Sequence, residues 1–176
     1  MRVLVAYSSK YGSTRGIADR IGERLRLAGH EVDVERCDDV EYPEGFDAFV
    51  VGAATYMFNW RKEARRFVRH NHELLASRPT WLFASGPLGT SRIDKEGNDV
   101  LAGAQPRQFA DYEEELHPRG TMVFFGALDI DGLRGSDRIL SWMPENDALP
   151  EGDFRDWDAI DAWADAVAAE LATQPA

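Results

Sequence analysis

Short apolar runs separated by longer amphipathic stretches extend along most of the chain. Five runs have the length and composition of strands in a buried sheet, and they lie at 3–7, 31–36, 48–53, 81–84 and 122–127. The run at 31–36 alternates apolar and polar residues, which is typical of an edge strand. The other four are nearly continuous, as strands covered on both faces should be.

Helical periodicity fills the intervals between these runs. Apolar residues recur every three or four positions in 17–28, and Gly29 then supplies a C-cap. A second helix is predicted to begin at Asn59, a favourable N-cap residue, and to continue to about position 75. Further helices are predicted in 105–115 and in 157–171, the latter with the clearest apolar stripe.

The alternation of strands and helices predicts an α/β fold in one domain spanning 1–176. Parallel strands need crossover connections, so helices should cover both faces of a doubly wound, five-stranded parallel sheet. The edge-like second strand favours the order 2-1-3-4-5. Two stretches, 87–103 and 128–152, are predicted to be irregular. Ligands of such sheets bind beyond the carboxyl ends of the strands, so the loops after strands one, three and four are the expected site.

The first of these loops combines hydroxyl side chains, a glycine and the start of a helix. Its sequence is S-S-K-Y-G-S-T, from Ser8 to Thr14. Backbone N–H groups and hydroxyls converging at a helix N-terminus form a cradle for an anion, above all a phosphate. The spacing matches neither a Walker A loop nor the dinucleotide fingerprint. An ordinary strand-to-helix turn with a Ser/Thr cap is the alternative interpretation.

The segment 5–21 resembles the signature of the flavodoxin family. The matching positions are Tyr7, Ser9, Gly12, Thr14, Ala18 and Ile21. One position departs from the signature, since Ala6 stands where a larger apolar residue is usual. The resemblance implies a flavodoxin-like fold that binds FMN. The residues that it places around the FMN phosphate are Ser9, Lys10, Tyr11, Gly12, Ser13 and Thr14.

The loops after strands three and four are then expected to hold the flavin ring. The first is rich in aromatics, which offer a face for a planar ring to stack on, and it contributes Ala54, Thr55, Tyr56, Met57 and Phe58. The second has glycines that allow close backbone approach, and it contributes Ser85, Gly86, Pro87, Leu88, Gly89 and Thr90. Residues 126–129 are expected to border the ring or the substrate. The alternatives are that the aromatics anchor the second helix and that the glycine-rich loop is a flexible connection.

Three segments, the first of which overlaps the one just described, are similar to the menaquinone-dependent protoporphyrinogen oxidase family. They are V-L-V-A-Y-S-S-K-Y-G-S-T-R-G-I-A at 3–18, V-V-G-A-A-T-Y at 50–56 and F-F-G-A-L at 124–128, together with extra residues in 87–103. The similarity implies FMN-dependent oxidation of protoporphyrinogen in haem synthesis, with electrons passed to a quinone. Unlike the basic regions of that family, 145–170 is acidic and 87–103 is mixed in charge.

The charge composition of the chain indicates which kinds of binding partner are favoured. The chain has 20 Lys and Arg against 31 Asp and Glu, a formal net charge of −11, which disfavours nucleic-acid binding. An acidic surface instead suits the alternative of an electron-carrier flavodoxin that docks redox proteins; an FMN-dependent quinone reductase and a flavin-free scaffold are further alternatives. The protoporphyrinogen oxidase interpretation takes a small-molecule redox substrate and a quinone as partners.

The positions of the cysteine and histidine residues limit the disulfides and metal sites that this chain can form. The single cysteine, Cys37, excludes an intrachain disulfide and multi-cysteine zinc sites. His70 and His72 are two apart on a predicted helix and do not share a face, so no metal site is expected. No catalytic side chain is assigned. The apolar runs are too short for a membrane span or a secretory signal, so a cytoplasmic protein is expected, with peripheral membrane association left open.

Overall fold

Five long parallel strands form the centre of the fold in the computed structural model, which describes residues 1–129 and 150–173. They are β1 (Arg2–Ser8), β2 (Glu31–Arg36), β3 (Ala48–Tyr56), β5 (Thr80–Ser85) and β6 (Gly120–Phe124), with the short β4 (Asn59–Trp60) paired antiparallel to the end of β3. The order across the sheet is β2-β1-β3-β5-β6. Taken as the five long strands, this confirms the predicted order 2-1-3-4-5. A separate two-stranded sheet joins β7 (Ala127–Leu128) to β8 (Gly152–Asp153).

Helices cover both faces of this sheet, as predicted. They are α1 (Ser13–Leu27), α2 (Lys62–His70), α3 (His72–Ser77), α4 (Val100–Gly103), α5 (Gln108–Leu116) and α6 (Trp157–Ala172), with a 3-10 turn at Pro43–Gly45. α1 and α6 share one apolar cluster with the sheet, and α2, α3 and α5 share the other. Within the described ranges, no helix has both the length and the apolar character needed to cross a membrane.

The alternation of side chains along β1 shows how the two cores form. Val3 and Val5 pack toward α1 and α6, while Leu4 and Ala6 pack toward α2 and α5. All four are fully buried, which explains why this strand is a continuous apolar run rather than an alternating one. Because the five long strands pair in parallel, their carboxyl ends lie at one edge of the sheet, and the loops that follow them are brought together there.

The predicted helix start at Asn59 is wrong. Asn59 lies in β4 and pairs with Tyr56 at the end of β3. The buried Trp60, also in β4, donates from its indole N–H to the Phe83 carbonyl at 3.2 Å. These two residues are therefore held in extended backbone, and the helix begins only at Lys62.

Other boundaries also differ from the prediction. The strand predicted at 48–53 continues to Tyr56, and the strand predicted at 122–127 spans Gly120–Phe124. The second helix is interrupted at Asn71, which separates α2 from α3. The helix predicted from position 105 begins at Gln108. The stretch predicted to be irregular over 87–103 contains α4, where the Asp99 carboxylate accepts from the backbone N–H groups of Leu101 and Ala102. Most of the other irregular stretch, 128–152, lies outside the described residues.

Candidate functional site

A cavity of about 500 Å³ opens at the carboxyl edge of the sheet. It lies where the loops after β1, β3, β5 and β6 meet, which is where parallel sheets bind their ligands. Its size falls within the roughly 300–1,000 Å³ of small-molecule sites. Its lining comes from residues that are distant in sequence: Ser9, Lys10, Tyr11, Ser13, Thr14, Ala54, Thr55, Tyr56, Met57, Ser85, Gly86, Leu88, Gly126, Ala127, Leu128 and Pro150.

Most of the residues predicted from the sequence are brought together in this lining. Five are not: Gly12, Phe58, Pro87, Gly89 and Thr90. Gly12 forms the turn into α1 with a φ of 92°, and the Pro87 carbonyl accepts from the N–H of Gly126 at 2.9 Å. Gly12 and Pro87 therefore contribute to loop shape. The sequence interpretation missed Pro150, which reaches the cavity through tertiary structure and carries no local signal.

The loop after β1 is shaped by its own hydroxyl groups. The Ser9 hydroxyl accepts from the backbone N–H of Gly12 at 3.0 Å, and the Ser13 hydroxyl accepts from the N–H of Ala127 at 2.9 Å. Among the described residues, no side chain caps the N-terminus of α1. The N–H groups of its first turn and the positive end of its dipole therefore face the loop without a side-chain cap, as an anion-binding turn requires.

Thr14 links this loop to the one after β5. Its side chain is fully buried, and its Oγ1 lies 2.8 Å from the Ser85 Oγ. Both residues also line the cavity. Two of the three predicted loops are therefore joined by a buried hydrogen bond at the cavity floor.

The Thr55 hydroxyl lies at the cavity wall and has no hydrogen-bond partner among the described residues. Its Oγ1 is buried, and no hydrogen-bond partner for it exists within 1–129 or 150–173. Next to it, a Cβ added at Gly86 would lie 3.2 Å from the Thr55 carbonyl oxygen, so the two loops approach closely because residue 86 is a glycine. A buried hydroxyl without a partner is unfavourable. A polar ligand in the cavity would relieve it.

The family is shown by a match to a model of the flavodoxin domain, which covers residues 4–153. The chain belongs to the flavodoxin family. Its cofactor is FMN. The uncapped helix start and the partnerless Thr55 hydroxyl fit this cofactor, because FMN carries both a phosphate and a planar ring with hydrogen-bonding edges.

Individual relatives of this flavodoxin-family protein agree with the family match. It is 26% identical to "Protoporphyrinogen IX dehydrogenase [quinone]" of Escherichia coli strain K12, with 96% of this chain and 95% of that protein covered. Among solved structures, flavodoxin 2 from Bacillus cereus has a TM-score of 0.61 at 20% identity and covers 97% of this chain and 99% of its own. A flavodoxin from the domain Archaea has a TM-score of 0.59 at 17% identity, covering 98% and 99%.

A partly buried polar cluster of Ser8, Arg61 and Glu63 was not predicted from the sequence. Arg61 donates from Nε to the Ser8 hydroxyl at 2.9 Å and from Nη2 to Glu63 at 3.0 Å, and Ser8 donates to Glu63 at 3.1 Å. Burial alone would raise the pKa of Glu63, but its own backbone N–H, Arg61 and Ser8 together lower it. The cluster joins the carboxyl end of β1 to the start of α2 and thereby fixes two of the loops that border the cavity.

Cys37 should be inert toward thiol reagents in the folded flavodoxin-family protein. Burial raises the pKa of its thiol to about 12, and the thiolate is the reactive form. We expect modification by an aromatic disulfide at pH 8 to be at least about a hundredfold slower in the native than in the urea-unfolded protein. Since the unfolded chain releases this proton first, the free energy of unfolding should also fall as pH rises above about 8.5. Equal native and unfolded rates would contradict this account of Cys37.

Proposed function

We propose that this protein oxidises protoporphyrinogen and passes the electrons to a quinone. The observation that carries the proposal is the similarity to the Escherichia coli protoporphyrinogen IX dehydrogenase, which extends over 96% of this chain and 95% of that protein. The fold supports it with a cavity of about 500 Å³ at the carboxyl edge of the sheet, which is large enough for a cofactor. Conversion of protoporphyrinogen to protoporphyrin removes six hydrogen atoms, and three quinones take them up as they are reduced to quinols, so electrons and protons balance.

The proposal assigns separate tasks to the three loops. The turn from Ser9 to Thr14 holds the FMN phosphate, because its hydroxyl-bearing residues Ser9, Ser13 and Thr14 line the cavity at the N-terminus of α1. The segments 54–57 and 85–88 hold the ring between them, and the Thr55 hydroxyl hydrogen-bonds its edge. Bound FMN supplies the redox chemistry by accepting electrons from one substrate and donating them to the other.

We propose that the protein contributes position and exclusion of water rather than a catalytic acid or base. The titratable side chains in the described lining are Lys10, Tyr11 and Tyr56. The Lys10 ammonium lies 5.2 Å from the centroid of the Tyr11 ring, which keeps a positive charge beside the phosphate turn. A cation there favours binding of an anionic cofactor by an otherwise acidic protein.

A second candidate function is that of an electron carrier between redox proteins. The net charge of −11 favours it, because an acidic carrier is steered toward basic partners. Anaerobic titration with a reductant separates the two functions. Reduction of the bound flavin in two separated one-electron stages would support the carrier, and reduction in one two-electron stage would support the enzyme. We propose the cytoplasm as the location of either reaction; a chain with a single cysteine suits such a reducing compartment.

The direct test of the enzyme is fluorescence-detected formation of protoporphyrin under nitrogen. FMN-loaded protein is mixed with protoporphyrinogen, with and without a naphthoquinone, and free FMN at the same concentration is the control. We expect quinone-dependent turnover well above the control. Firm FMN binding without such turnover would overturn the enzyme proposal and favour the carrier.

A further inference from the structure

The turn between β3 and β4 has an unusual backbone. Met57 and Phe58 have φ angles of 48° and 61°, and they form the two-residue loop of a hairpin whose flanking pair is Tyr56 and Asn59. Positive φ at both positions is the requirement of a type I′ turn, which strongly prefers Asn-Gly. Met and Phe are unfavourable there, since a non-glycine side chain is strained in this region. In the described chain, the other non-glycine residue with positive φ is His117.

The strained turn is held from outside by hydrogen bonds. The Phe58 carbonyl accepts from the N–H of Arg107 at 2.9 Å, and the Met57 carbonyl accepts from the side-chain amide of Asn59 at 2.9 Å. Gln108 donates to the Asn59 side chain and accepts from the N–H of Trp60. We call these three residues, Asn59, Arg107 and Gln108, the clamp of the turn. Strain of this kind persists where surrounding contacts over-determine it, and such places are enriched at functional sites.

The clamp presents apolar side chains to solvent at the mouth of the cavity. Met57 is 88% exposed and Phe58 is 52% exposed, and Phe58 lies outside the lining of the cavity itself. Met57 lines the cavity, where the cofactor ring would contact it, but neither burial, nor turn preference, nor a place in the cavity lining explains Phe58. Side chains of this size held outward, beside a cofactor site, are typical of contact surfaces for another molecule.

Two exposed cationic residues are connected to the turn. Arg107 donates its backbone N–H to the Phe58 carbonyl, and Lys62 begins the helix α2 that follows β4. No acidic group within 1–129 or 150–173 forms an ion pair with either. This is unusual in a chain with a net charge of −11, and it suits an occupant that joins an apolar face to negative groups.

We propose that the Met57–Phe58 turn is a docking platform for a flat apolar substrate that carries carboxylates. Phe58 contacts the face of the molecule, and Arg107 meets a carboxylate. The inference rests on the proposed function for the choice of substrate class, since porphyrins have this chemistry. The proposal makes Phe58 and Arg107, which lie outside the cavity lining, residues that determine substrate specificity.

The test measures porphyrin binding to the FMN-loaded protein. Protoporphyrin IX is the probe, its fluorescence polarisation is the readout, and the variants are Phe58→Gly and His117→Gly. Glycine relieves positive-φ strain at both positions, so we expect both variants to melt at a higher temperature and to keep wild-type FMN affinity. Phe58→Gly alone should weaken porphyrin binding by about tenfold. Equal porphyrin affinity in the two variants would overturn the platform.

A second comparison isolates the charge. Arg107→Gln keeps the backbone donor to Phe58, so the turn is retained. We expect it to weaken binding of protoporphyrin IX several-fold and to leave binding of the dimethyl ester unchanged. Equal losses for acid and ester, or no loss for the acid, would overturn the role of Arg107.

A membrane is the other possible occupant of the turn. Phe58-dependent binding to phosphatidylglycerol vesicles, without porphyrin binding, would show that the turn binds a membrane instead of a substrate and would also overturn the platform.

The outcomes separate this inference from the proposed function. If Phe58→Gly weakens porphyrin binding while no variant turns over protoporphyrinogen, the platform stands and the enzyme proposal fails. If turnover occurs with the same KM in wild type and Phe58→Gly, the enzyme proposal stands and the platform fails. A several-fold rise in KM at constant kcat, with ferricyanide as a small polar acceptor, supports both.

Discussion

Replacing Thr14 by Val should weaken FMN binding by about 1–3 kcal/mol, which is roughly 5- to 150-fold in Kd. The Thr14 side chain is fully buried at the cavity floor, and valine has the same shape without the hydroxyl. The substitution removes one polar group from the phosphate turn. It also removes the partner 2.8 Å from the Ser85 hydroxyl, so a second loop loses an anchor. Quenching of flavin fluorescence on titration with protein measures the affinity.

Thr14→Ser is the matched control, because it keeps the hydroxyl and loses only a methyl group. We expect its FMN affinity to stay close to wild type. Unchanged affinity in Thr14→Val would mean that the turn is a helix start without a role in holding the phosphate, and equal losses in the two variants would point to packing rather than hydrogen bonding.

Gly52→Ala should destabilise the protein by about 1–3 kcal/mol or more. A Cβ at Gly52 would lie 2.0 Å from the ring carbons of Phe83, which is its cross-strand partner. Phe83 has little room to move because it is fully buried and packs against Phe124 and Trp163 at centroid distances of 6.1 and 6.2 Å. The backbone of Gly52 is held by strands on both sides. Urea unfolding measures the change in the free energy of unfolding.

Gly103→Ala is the control for this prediction. Nothing lies within 4 Å of a Cβ added at Gly103, so the free energy of unfolding should stay within about 0.5 kcal/mol of wild type. Adding Phe83→Leu to Gly52→Ala should recover part of the lost stability, since it removes the ring that the new methyl group meets. If Gly52→Ala and Gly103→Ala unfold at the same urea concentration, the steric account of this strand pair is wrong.

The parts of the site with local causes were predictable from the sequence. The turn from Ser9 to Thr14 could be recognised because hydroxyls, a glycine and a helix start are adjacent in the chain. The central strands could be recognised because burial on both faces makes them continuously apolar. The edge strand β2 differed from them by its alternation, and this difference gave the sheet order.

The parts with tertiary causes were not predictable. Asn59 is a residue type that is favourable at a helix N-cap. It lies in β4 instead, where its side chain accepts a hydrogen bond from Gln108, a residue far away in the sequence. The turn at Met57 and Phe58 opposes local preference and exists because Arg107 and Asn59 clamp it. Sequence-local reasoning fails where distant contacts override propensity, and both failures lie beside the cofactor cavity.

The most direct measurement of the central claim is anaerobic rapid mixing of the FMN-loaded protein with protoporphyrinogen, followed by the visible absorbance of the bound flavin. The account predicts that this absorbance bleaches as porphyrin fluorescence appears, and that it returns when a naphthoquinone is added. Flavin that stays oxidised in the presence of excess protoporphyrinogen would contradict the account.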